Sequence, residues 1–224
     1  MLHGKEFKMK KAGILCLSLL FFISVHPAQA TVNKSIRVSN GEQISKNLSS
    51  VNGSINIGEE CVIRGRSRTV NGSIRVGRGS EVRSLSTVNG RIVVEEGTVV
   101  SGSISTVNGS VSCKGEVDVA DTIKTTNGSV SLDSTRVRED VITNNGHIKL
   151  ENSSRIEGDV VIRSSFNILR FLFPKRKKLA IYITGGSTVL GGITNRDRYK
   201  DVTVYVDSSS RIEGEVRGAK VVEL

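Results

Sequence analysis

The sequence predicts an all-β fold, a single-stranded β-solenoid (β-helix) of about nine coils of 18–19 residues with a right-handed sense. Three observations carry this. The phrase Thr-Val-Asn-Gly-Ser-Ile, or a close variant, recurs along the chain. Its asparagines, Asn33, Asn52, Asn71, Asn89, Asn108, Asn127 and Asn145, are spaced 19, 19, 18, 19, 19 and 18 residues apart. Behind each lies an alternating apolar pair rich in β-branched residues. A period this short and regular marks a supersecondary unit that buries its apolar side only against its neighbours.

The first thirty residues precede the repeats. Lys8, Lys10 and Lys11 lead into an apolar run from Ala12 to Val25, then Ala28-Gln29-Ala30. This is the pattern of a cleaved secretory signal peptide, with the cut expected after Ala30. The run is short for a membrane span, which needs about 20 residues. Leu15, where a lipoprotein signal needs a small residue, argues against lipidation at Cys16. The chain is therefore expected to be exported, to the periplasm, the outer surface or the extracellular space, with residues 31–224 forming the solenoid domain.

Counting the residue before each Asn as position 1, positions 5 and 7 read Ile36/Val38, Ile55/Ile57, Ile74/Val76, Ile92/Val94, Val111/Cys113, Val130/Leu132 and Ile148/Leu150. Alternation puts these side chains on one face of a strand. A second apolar site falls at Val62, Val82, Val99, Val119, Val137 and Ile156. A third falls at Leu48, Leu85, Ile104 and Ile123. Three short strands per repeat describe one coil. Between them, Asn52-Gly53, Asn71-Gly72, Asn89-Gly90, Asn108-Gly109, Asn127-Gly128 and Asn145-Gly146 are expected to supply the positive φ of a tight corner. The same dipeptides could close antiparallel hairpins, but equal residues at equal positions favour stacking of like on like.

The repeat resumes after the last Asn-Gly. Val204 to Val216 matches Ile148 to Val160 at an offset of 56 residues, and Ile181-Tyr182-Ile183 supplies the pair between them. The step from Ile148 to Ile181 is 33 residues, about 14 too many, and the excess falls within 163–180. Beyond residue 30 the chain holds 28 basic and 21 acidic residues, net +7; the insertion alone carries six positive charges and no acid. Phe166, Phe171 and Phe173 also lie there, with Arg170, Lys175, Arg176, Lys177 and Lys178. Two readings follow: a flap covering one flank of the solenoid, or a contact element for an envelope protein, a surface glycan or an anionic membrane surface. Nucleic acid is not expected as a partner of an exported chain.

Positions 4 and 6 should face outward. They form a hydroxyl-rich, lightly basic strip ending in Tyr182 and Tyr205, a candidate glycan-binding face. Cys61 and Cys113 lie nearly three repeats apart, too far along the stack for a disulfide, and read as buried thiols. After the leader, His147 is the only histidine. With no Cys-x-x-Cys pair, no metal-binding constellation and no recognisable acid/base pair, neither an enzyme nor a cofactor is expected.

The recurrent Thr-Val-Asn-Gly-Ser-Ile phrase, with Ile-Glu-Gly-Asp-Val at 156–160 and Ile-Glu-Gly-Glu-Val at 212–216, resembles the bacterial adhesin-like family of β-solenoid domains. Its short Gly-Asp-Val-bearing coils are also similar to the bactofilins, which are polymer-forming and typically cytoplasmic. The first resemblance implies an adhesion or binding module at the bacterial cell envelope. The second implies a self-assembling scaffold, in which coil ends with unpaired edges stack into an end-to-end homo-oligomer. A solenoid enzyme acting on polysaccharide is the third expectation.

Overall fold

A computed structural model describes residues 29–164 and 176–224. Every strand pairing among them is parallel, which excludes the hairpin alternative. The chain winds as a β-solenoid. One face is a ten-stranded sheet that takes one strand from each coil, beginning with β2 (Ile36–Val38) and β5 (Ile55–Ile57) and ending with β24 (Lys200–Val206) and β27 (Lys220–Glu223). The other two strand columns form a 17-stranded sheet. They are joined because β6 (Val62–Thr69) and β8 (Glu81–Thr87) run through the corner between them without a break.

Register explains the repeat. Ile36 stands beside Ile55, Ile55 beside Ile74, Ile74 beside Ile92 and Ile92 beside Val111. All nine expected position-5 residues are at most 2% exposed. Burying each such side chain contributes about 1.5–3 kcal/mol, and one core cluster runs from Ile36 to Val204. Cys61 and Cys113 are free and buried within it. Burial pushes the Cys113 thiol up to about 12 and raises Cys61 as well. The second apolar site needs correction at two coils: Ile63 and Val100 are buried, whereas Val62 is half-buried and Val99 is 42% exposed. In each coil the two valine or isoleucine residues are adjacent, and only strand register decides which one turns inward. A tenth strand, β27, was also not expected from the sequence; its Val221 pairs with Val204.

The Asn-Gly corner is tight for a different reason from the expected one. None of its glycines has positive φ. That conformation belongs to another corner, at Gly41, Glu60, Gly79, Gly97, Gly115, Ser134 and Asn152. The Asn-Gly glycines are needed because the coils touch there. A Cβ on Gly72, Gly90, Gly109, Gly128 or Gly146 would lie 1.7–2.2 Å from the carbonyl oxygen of the glycine one coil earlier. Each neighbouring residue of the phrase adds a bond along the rod. The buried Thr69, Thr87, Thr106 and Thr125 donate from Oγ1 to that same carbonyl column at 2.7–3.1 Å. The asparagine side chains form a ladder in which each Nδ2 donates to the Oδ1 of the asparagine below, from Asn52 to Asn145, at 2.8–2.9 Å. Ser54 and Ser73 donate their backbone N–H to the serine Oγ one coil below. Lys34 can occupy the glycine position of the first coil because, among the described residues, no earlier carbonyl of this column lies beneath it.

The last coils are built differently. Leu179 and Val202 stand where Gly146 would be followed, and both are buried. The corner straightens, and β21 (Lys177–Ile183) and β24 pair over seven residues each. At the other end, β1 (Gln29–Thr31) pairs with β4 (Leu48–Ser50), so the first strand begins two residues before the expected cleavage point.

Candidate functional site

Straightening of the corner broadens the ten-stranded face at its C-terminal end. Along β21, Leu179, Ile181 and Ile183 point into the core, which turns Lys178, Ala180 and Tyr182 outward. Their register partners on β24 are Asp201, Thr203 and Tyr205, and those of Thr203 and Tyr205 on β27 are Lys220 and Val222. Tyr182 and Tyr205 are brought together, with ring centroids 5.0 Å apart and planes 11° apart. That separation is close to the strand spacing of about 4.8 Å, so the rings stack along the rod axis. Each spends a face on its neighbour and presents its edge and hydroxyl outward. Lys149 flanks Tyr182 on the other side.

His147 lies on the same face. Its Nδ1 accepts the backbone N–H of Ala180 at 3.0 Å, so the imidazole joins coils seven and eight. Of the predicted basic cluster, Arg176 pairs with Asp201 at 2.8 Å in the open. Lys177 donates to the backbone carbonyl of Asn145 at 2.9 Å, and Lys178 is exposed. Phe166, Arg170, Phe171, Phe173 and Lys175 lie outside the described residues.

Two features at the root of the insertion escaped the sequence reading. The first is a buried ion pair: Lys200 Nζ lies 2.8 Å from Asp197, with both side chains at most 1% exposed. The same ammonium donates to the carbonyl of Arg163 at 2.8 Å, tying the last coil to the point where the insertion leaves the rod. Asp197 accepts the backbone N–H of Tyr199 in return. The second is Ile142 and Val161, register partners that stand between the inward-facing residues of their strands, outside the core cluster. They are nonetheless only 6% and 4% exposed. The sequence signal was the unbroken apolar triplet Val160-Val161-Ile162, where other coils alternate.

No family model matches the chain, and no curated protein or solved structure matches it either.

Proposed function

We propose that this chain is an exported, non-enzymatic β-solenoid that acts as a binding or adhesion module at the bacterial cell envelope, in keeping with its resemblance to the adhesin-like solenoid family. The observation that carries the reading is the broadened C-terminal face, where the tyrosine pair, Lys149, Lys178 and Lys220 converge beside the root of the basic-aromatic insertion. The regular coils act as the rod that presents this face.

The scaffold alternative is disfavoured by the shape of the two ends. The first coils have an Asn-Gly corner with its amide ladder, whereas coils eight and nine have a straight seven-residue strand there. Sedimentation velocity over a wide concentration range, together with binding of fluorescently labelled protein to isolated envelopes, tests the proposal. The expected result is a concentration-independent monomer with saturable envelope binding. Growth into long species would replace the module with the scaffold, and absence of envelope binding would overturn the envelope assignment.

A further inference from the structure

Several arginines elsewhere on the rod are neutralised by acids of the same or an adjacent coil. Arg75 pairs with Glu95, Arg138 with Asp118 and Arg136 with Glu157. On β6 several arginines without such an acid stand close together. The strand's burial alternates, with Ile63, Gly65, Ser67 and Thr69 inward, so Arg64, Arg66 and Arg68 all stand exposed, Arg66 and Arg68 on one face and Arg64 at the corner that falls between Ile63 and Arg66. At about 3.3 Å per residue the Cα atoms of Arg66 and Arg68 are about 6.6 Å apart. Arg83 of β8 lies beside them, and a concavity of about 530 Å³ is lined by Arg66, Arg68 and Arg83 with Ser84, Ser86 and Ser103.

Register accounts for the missing counter-charge. Arg68 lies between Ser49 and Ser86, and Arg66 lies beside Ser84. Among the described residues, none of these four arginines has an ion-pair partner. The nearby acids do not serve: Asp121, on the groove wall, accepts the backbone N–H of Thr122 at 2.6 Å. Glu81, which shares the adjacent concavity with Arg64 and Arg83, forms no ion pair with either. Like charges in a row repel, and an anion laid along them relieves that repulsion while accepting bidentate guanidinium bonds.

We infer that the Arg64–Arg66–Arg68 row, with Arg83, is a binding groove for an anionic polysaccharide strand. It is a second contact surface, at the opposite end of the rod from the tyrosine face, and it rests on the binding-module reading. The form of the groove selects this ligand class. Closely spaced guanidinium groups match a polyanion, which carries repeated charge. The hydroxyls of Ser84, Ser86 and Ser103 beside the arginines pair with sugar hydroxyls. Around Arg66, Arg68 and Arg83 the lining has no exposed aliphatic side chain to enter a bilayer and no aromatic ring to stack on a base.

The test titrates the full chain with fluorescent dextran sulfate, neutral dextran, polyglutamate and phosphatidylglycerol vesicles. Dextran sulfate should bind saturably, more weakly as salt rises, and neutral dextran should not bind. Arg64→Ser/Arg66→Ser/Arg68→Ser should weaken dextran sulfate binding by about tenfold or more. The charge-matched control Arg136→Ser/Arg138→Ser/Arg155→Ser should bind like the parent. The triple Lys variant keeps the charge and the strand, and should lie between the two because it loses the bidentate geometry. Equal loss in the control variant overturns the groove, as does equal binding of polyglutamate. Arginine-dependent vesicle binding without dextran sulfate binding overturns the glycan and assigns the row to a lipid surface. If the β6 variant still binds envelopes but dextran sulfate does not bind the parent, the groove falls and the module stands. The converse pattern leaves the groove standing and removes the envelope.

Discussion

Gly109→Ala is the sharpest test of how this solenoid is held together. A methyl at that position would sit 1.8 Å from the Gly90 carbonyl oxygen, 2.5 Å from its carbon and 3.0 Å from Thr106 Oγ1. Ordinary contact needs about 3.5 Å, so the two coils must part by about 1.7 Å at a corner where their spacing is about 4.8 Å. Three bonds cross that gap. Asn108 N–H donates to the Val88 carbonyl at 2.7 Å, Asn108 Nδ2 donates to Asn89 Oδ1 at 2.8 Å, and Thr106 donates to the Gly90 carbonyl at 3.1 Å. At about 1 kcal/mol each, their loss costs about 3 kcal/mol. For a chain of this length that is about 6–12 °C in Tm. Thermal melting followed by circular dichroism reads it directly. Gly41→Asn is the control, because Gly41 has φ +72° with no atom within 4 Å of an added Cβ, and asparagine tolerates that conformation. A Gly109→Ala protein melting within about 2 °C of the parent, or a control that loses as much, would refute the contact argument.

Three other outcomes are expected. Ser67 is 1% exposed in a column between Leu48 and Leu85, and its hydroxyl has no partner among the described residues; Ser67→Ala should raise stability by about 1 kcal/mol by removing that orphan group, seen as a higher melting temperature. Lys200→Met removes the ammonium beside the buried Asp197 carboxylate and should cost about 3–5 kcal/mol, with Lys200→Met/Asp197→Leu recovering most of it; chemical denaturation of the two variants separates charge burial from packing. Asp207 is held down to about 2, first by the Gly185 N–H and then by the Ser210 side chain. Its contribution to stability is complete above the unfolded value of about 3.9 and is lost as pH falls through the folded value. Asp207→Asn should therefore flatten the pH 4 to 2 part of a melting profile, and an unchanged slope there would rule out this carboxylate as a source of acid sensitivity.

The basic row on β6 was open to view as Arg-Gly-Arg-Ser-Arg at 64–68, an alternation that turns all three charges outward. What remained hidden was its electrostatic isolation. Whether an arginine meets a glutamate depends on which residue lies one coil away in register, and that offset slips between 18 and 19. The tyrosine pair was legible for the opposite reason: Tyr182 and Tyr205 occupy the same position of successive coils, and equal positions stack. Lys200 and Asp197 were not legible, because a short polar turn gives no periodic signal and only the closing of the last coils buries it.

The sequence by itself determined the solenoid, its coil length and most of its inward residues, because in-register stacking forces like side chains to recur at equal intervals. The tertiary structure alone decided what the recurring Asn-Gly is for. A glycine permits both a positive φ and a close approach, and the chain cannot show which is needed until the carbonyl of the preceding coil is in place against it.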